Sequence, residues 1–118
     1  MWTTINSFIP TKESIMPVNV KTTATKPEGT QWFRVYKLGN QEFENLQDID
    51  AWTMSLPGFV SFKKSEISNL VTEEVIVFQD TEAFINYQKQ RETSATFTAR
   101  RDYNAANNII SVVEVSVS

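Results

Sequence analysis

Across residues 31–118, β-branched and aromatic runs alternate with helical stretches in the order β, α, β, β, α, β, and no other feature limits the possible folds so sharply. The first run, Trp32-Phe33-Arg34-Val35-Tyr36-Lys37-Leu38, is made of residues that fit a pleated surface. Gly39 breaks it, and Asn40 suits the cap of a helix starting at Gln41. Along that helix Phe43, Leu46, Ile49, Trp52 and Leu56 recur every three or four residues, which makes one apolar stripe. Glu42 and Glu44 in its first turns suit the positive end of the helix dipole, and Pro57-Gly58 ends it. Phe59–Ile67 reads as a second strand. After a turn at Asn69–Thr72, Glu73–Gln79 reads as a third, paired antiparallel to it. Asp80 caps a second helix that turns Ala83, Phe84 and Tyr87 inward. Thr93-Ser94 marks a break, Ala95–Ala106 a further helical piece, and Ile109–Val117 the strongest strand in the chain.

This order predicts an α+β domain of the ferredoxin-like βαββαβ kind, a four-stranded antiparallel sheet with both helices on one face. Val113, Val115 and Val117 alternate along the last strand, with Ile110 and Val112 on the opposite side, so both sheet faces are expected to be partly buried. A chain of 118 residues supplies no third layer. Two copies packed sheet to sheet would cover the second face, and the expectation is a homodimer, a dimeric α+β barrel. Residues 1–30 are rich in Thr, Ser, Asn and Lys, with prolines at 10, 17 and 27. Thr3–Ile9 and Val18–Thr23 read there as short strands, so this stretch is expected to be an N-terminal arm or added edge strands beside a domain spanning residues 31–118.

The chain contains no histidine and no cysteine. That removes disulfides, zinc sites built from His and Cys, and Ser-His-Asp or Cys-His nucleophiles. No Gly-rich phosphate loop, metal cluster or carboxylate dyad is present in the sequence, so neither a metal nor a cofactor is expected. Any chemistry must come from carboxylates, Lys, Tyr, Arg or the substrate itself. A net charge of −3 argues against nucleic acid as the main partner, since phosphate binding needs clustered positive charge. No apolar run reaches the length of a membrane span, and Met1-Trp2-Thr3-Thr4 lacks the pattern of a secretory signal. The expected location is the cytoplasm.

Leu56-Pro57-Gly58-Phe59-Val60-Ser61-Phe62, followed by Glu74-Val75-Ile76-Val77-Phe78-Gln79-Asp80-Thr81-Glu82-Ala83-Phe84, resembles the antibiotic-biosynthesis-monooxygenase family. The similar pattern is a Pro-Gly-Phe turn into the second strand, an apolar strand ending in an aromatic, a capping residue, and Glu-Ala-Phe on the helix. The resemblance covers about Gln31–Ser118 and implies a dimeric α+β barrel. It also implies either a cofactor-independent monooxygenase acting on a small aromatic or polycyclic substrate, or a non-catalytic ligand-binding or regulatory relative. A haem-degrading branch of that family has an Asn where Phe33 stands, a Trp where Phe78 stands, and its haem-ligating His near Arg101. All three differ here, and without imidazole the iron loses its proximal ligand.

The candidate pocket residues are Phe33, Arg34, Tyr36, Trp52, Phe78, Tyr87 and Arg101. The aromatic residues would wall an apolar space between sheet and helices, and Arg34 or Arg101 would hold a substrate anion. Each also has a plainer reading. Trp52 on its apolar stripe suits the core, Phe33, Tyr36 and Phe78 suit the core or an interface, and a buried Tyr commonly finds one hydrogen-bond partner. Arg100-Arg101 equally suits solvent, Glu73-Glu74 a polar strand edge, and Lys63-Lys64 protection of an edge strand from aggregation. No catalytic residue stands out.

Overall fold

A computed structural model of the chain describes residues 3–4, 16–33 and 46–117. Its elements are β1 (Thr3–Thr4), β2 (Val18–Thr25), α1 (Leu46–Met54), β3 (Phe59–Ser68), β4 (Val71–Phe78), α2 (Thr81–Glu92), α3 (Ala95–Ala106) and β5 (Ile110–Val117). The strands form one sheet in the order β1-β5-β2-β4-β3, and every neighbouring pair is antiparallel. Four long strands and three helices thus make an α+β domain. With the two-residue β1 set aside, the order runs last, first, third, second, which is compatible with a ferredoxin-like arrangement.

The first long strand is the main departure from the sequence reading. Val18–Thr25 is not an edge strand but lies between β4 and β5, in full register with both: Val20 sits beside Ile76 on one side and Val115 on the other. The sheet therefore takes its central strand from before residue 30. Gln31–Phe33, expected to open a strand, are irregular, and the rest of that expected strand, with Arg34 and Tyr36, lies outside the described residues. So do residues 41–45 of the first expected helix. Thr3–Thr4 does add an edge, pairing with Val115 and Glu114 of β5.

Helix starts and stops follow local chemistry. The Asp80 carboxylate accepts a hydrogen bond from the Ala83 amide at 2.9 Å, and the Ser94 hydroxyl accepts one from Phe97 at 3.4 Å, so α2 and α3 each open on a side-chain cap. Between α1 and β3 the chain turns at Gly58, whose φ of +79° favours glycine. A Cβ there would lie 2.5 Å from the Ala83 Cβ, while the Gly58 carbonyl accepts the Gln79 amide at 2.8 Å. The Pro-Gly-Phe turn thus fixes how closely the first helix-strand corner approaches α2.

Strand alternation separates the two faces of the sheet. Val18 and Val20, Ile76 and Phe78, and Val113 and Val115 turn toward the helices, where they pack with Ala83, Phe84 and Tyr87 of α2 and with Trp52 and Leu56. Val115 is 1% exposed. It belongs to this core cluster, so its alternation with Val113 and Val117 describes the helix-covered face rather than the open one. The opposite face presents Ile110 and Val112, 65% and 42% exposed, beside an ion pair of 3.6 Å between Lys21 and Glu114. Among the described residues no helix is long and apolar enough to cross a membrane.

Candidate functional site

A second core cluster, Phe33, Ile49 and Phe97, lies beside the first, and Trp52 packs against both. A row of rings results. Phe78 stands 5.0 Å from Tyr87, Tyr87 is 6.4 Å from Trp52, and Trp52 is 5.5 Å from Phe97, all tilted. Such tilted pairs sit in the range where ring quadrupoles attract. Phe33 packs 5.5 Å from Tyr103, whose hydroxyl donates 2.8 Å to the Gln31 carbonyl. Trp52, Phe78, Tyr87 and Phe33 are therefore brought into one interior. Arg34 and Tyr36 lie outside the described residues.

Arg101 is not part of that interior. It is exposed, and its guanidinium donates to the Thr98 hydroxyl at 3.2 Å. The arginine that α3 turns inward is its neighbour Arg100, whose guanidinium lies 4.8 Å from the centre of the Phe97 ring. From the end of α2, Arg91 sends a second guanidinium to 5.0 Å from the same ring and 5.3 Å from Tyr87. Both cations thus rest on aromatic faces. The Arg91 Nε is buried with no hydrogen-bond partner. Among the described residues no carboxylate lies within 4.0 Å of either guanidinium.

Among the described residues, two carboxylates share this corner. Asp50 of α1 is held by Lys64 of β3 at 3.8 Å. Glu74 lies on the helix-facing side of β4, two residues before Ile76, with Thr22 and Lys64 as its cross-strand neighbours. Burial raises the Glu74 carboxyl above its ordinary range, against the pull of Arg100, Lys64 and Arg91, and the charge of Asp50 adds to the rise. Asp50 is also raised by burial, opposed by Lys64 and Arg100. Burial lowers Arg100, with Arg91 acting in the same direction. The Tyr87 hydroxyl is raised by burial, with Arg91 opposing.

Among the described residues the corner joins Arg91, Arg100 and Lys64, the carboxyls of Asp50 and Glu74, the Tyr87 phenol and a wall of rings. Two clefts of about 390 and 330 Å³ lie elsewhere, around Glu82 and Asn86 of α2, the larger also reaching Pro57 and Gly58; neither is lined by a residue of the aromatic row. No cluster of three or more His, Cys, Asp or Glu suited to a metal occurs among the described residues.

Sequence reasoning missed Arg91, Phe97 and Glu74 as site residues. Parity with Ile76 and Phe78 was the available signal for Glu74, since residues two apart on a strand share a face. Arg91 had no such signal, because a basic residue in the last turn of a helix is ordinary. No family model, curated protein or solved structure matches this chain.

Proposed function

We propose that the protein binds a small aromatic ligand without transforming it. On this reading it is a ferredoxin-like domain that pairs sheet to sheet into a dimeric α+β barrel, of the kind the resemblance to antibiotic-biosynthesis monooxygenases implies. The observation that carries the binding reading is the row Phe78, Tyr87, Trp52 and Phe97, bordered by two inward guanidiniums without carboxylate partners among the described residues. Aromatic walls with a few converged polar groups are the usual make-up of a small-molecule site. The absence of histidine supports binding over catalysis, because the commonest general base near neutral pH is missing. Phe33 and Phe78, at positions where the haem-degrading branch carries functional side chains, are core residues at 7% and 0% exposure. Pairing through the open face is supported by the exposed Ile110 and Val112.

One observation favours the cofactor-independent monooxygenase as a second reading. Glu74, made more basic by burial, faces Arg100, so it could take a proton from a phenolic substrate while the guanidinium holds the resulting anion for reaction with oxygen. Thermal melting with a panel of aromatic acids, phenols and quinones, followed by oxygen-electrode traces on the compounds that bind, separates the two. The binding reading expects aromatic acids to raise the melting temperature with no oxygen uptake above the protein-free rate. Catalysed oxygen uptake would replace it with the monooxygenase reading, and a panel that leaves the melting temperature unchanged would reject both.

A further inference from the structure

The Arg91 Nε without a partner and the charges of Arg91 and Arg100 specify what the ligand must carry. A buried N–H without an acceptor costs free energy that a bound oxygen would recover, and Arg91 Nε is such a group. Two guanidiniums that face one ring also repel, and nothing within ion-pair distance among the described residues offsets them. Asp50 is occupied by Lys64 at 3.8 Å. Glu74 is the other carboxyl of the corner among the described residues, and burial favours its neutral form. Among the described residues, the cations Arg91, Arg100 and Lys64 thus face the carboxyls of Asp50 and Glu74, neither of which lies within ion-pair distance of a guanidinium.

We propose that Arg91 and Arg100 form a clamp for the carboxylate of an aromatic acid, whose ring lies against the Tyr87–Phe97 wall, and that Glu74 takes up a proton when the acid binds. The proposal rests on the ligand-binding reading above and adds the chemical class and the residues that select it. A planar carboxylate matches the guanidinium fork, and charge-assisted hydrogen bonds of this type are about twice as strong as neutral ones. Negative charge placed beside Glu74 disfavours its ionised form further, which is the source of the proton uptake. The groups facing Glu74 are Arg100 of α3, Asp50 of α1, Lys64 of β3 and Arg91 of α2, with Tyr87 of α2 also nearby. Burial raises both Glu74 and Asp50, so the Glu74→Gln variant is what assigns the proton uptake to Glu74. Bound-state affinity then rises as pH falls, by up to about tenfold per unit between the free and bound values of Glu74.

Titration calorimetry of the full chain tests this with 1-naphthoate, its neutral carboxamide and inorganic phosphate, at several pH values and in two buffers of different ionisation enthalpy. The expected result is naphthoate bound at least tenfold more tightly than the carboxamide, phosphate bound more weakly than naphthoate, and a fraction of a proton taken up per naphthoate. Arg91→Met and Arg100→Met, checked by circular dichroism melts for folding, should each weaken naphthoate tenfold or more and shift the carboxamide less than twofold. Glu74→Gln should keep naphthoate affinity and abolish the proton uptake. Should a methionine variant fail to fold, Arg91→Lys and Arg100→Lys, which keep the charge and lose the fork, should still weaken naphthoate. Equal effects of the arginine variants on acid and amide would overturn the clamp, and so would phosphate binding more tightly than naphthoate. Buffer-independent heats, or proton uptake retained in Glu74→Gln, would overturn the role of Glu74. Carboxamide binding without naphthoate preference would reject the clamp alone, whereas no aromatic binding at all would reject the ligand-binding reading with it.

Discussion

Arg100 holds its guanidinium 4.8 Å from the centre of the Phe97 ring, and the ring takes a second guanidinium, from Arg91, at 5.0 Å. Contact with an aromatic face is worth about 0.5–2 kcal/mol to a cation. Removing a poorly compensated charge from a buried place gives back more than that, and replacing buried charges by apolar groups of similar size is often neutral or stabilising by about 1–4 kcal/mol. Arg100→Met in the absence of ligand is therefore expected to be as stable as the parent protein or more so, by urea denaturation. A loss above about 2 kcal/mol would mean that Arg100 is compensated in the resting fold and is not waiting for an anion.

Gly58 sets the corner between α1 and β3. Gly58→Ala must hold a non-glycine residue at a φ of +79° and push its Cβ against that of Ala83, which would be 2.5 Å away. The expected cost is about 1–3 kcal/mol, read as a lower urea midpoint with an unchanged slope. An unaltered midpoint would show that the corner relaxes freely and does not fix α2.

Most of the element order was legible because periodicity and capping act locally. Asp80 and Ser94 announce two helices, and the break at Thr93-Ser94 follows from the second cap. The first long strand was legible as a short strand, but its central place in the sheet was not. Trp32–Leu38 has the richer strand composition, whereas Val18–Thr25, VNVKTTAT, follows a proline and carries mostly Lys, Asn and Thr. Its interior place comes from long-range partners: Val18 and Val20 meet Phe78, Ile76 and Val115 on the helix-covered face, and Lys21 meets Glu114 on the other. A strand open on one face needs apolar residues only at alternate positions. The aromatic part of the site was visible for the same reason as the core, since the two are continuous. Its charged part was not, because Arg100 and Arg101 are three and four residues from Phe97 and helical spacing permits either to turn inward.

Val115 and Val112 separate the fold from the association. Val115→Asp places an unpaired charge under the helices, with an expected loss of about 4 kcal/mol or more. Val112 lies on the open face at 42% exposure, so Val112→Asp should leave the fold within about 0.5 kcal/mol of the parent yet convert a dimer to a monomer. Light scattering and chemical denaturation on both variants check this. A parent protein that is monomeric at micromolar concentration would contradict the sheet-to-sheet pairing.

Stability should depend on pH through Glu74. Burial raises its folded-state value above the ordinary value of 4.5, so over the window from 4.5 up to the raised value the folded chain holds a proton that the unfolded chain has released. Stability from this group is then fully present below 4.5 and is lost as pH rises through the folded value. Asp50, raised from 3.8, has the same sign with a window that begins lower. Glu74→Gln should match the parent protein below pH 4.5 and gain on it as pH rises from there to the raised folded-state value, in paired denaturation curves. A difference independent of pH, or one of opposite sign, would show that Glu74 is ionised and well compensated in the fold.

The most direct measurement of the central claim uses Trp52, which sits between Tyr87 and Phe97 in the ring row. With Trp2 and Trp32 replaced by Phe, Trp52 is the sole indole, and its emission reports only on that interior. Titration with 1-naphthoate should quench this emission along a saturable curve with a Kd in the micromolar range, and Arg100→Met should shift the curve to higher concentration. Emission that stays unchanged, or falls only in linear proportion to added naphthoate in both proteins, would contradict a ligand site beside these rings and leave them as core alone.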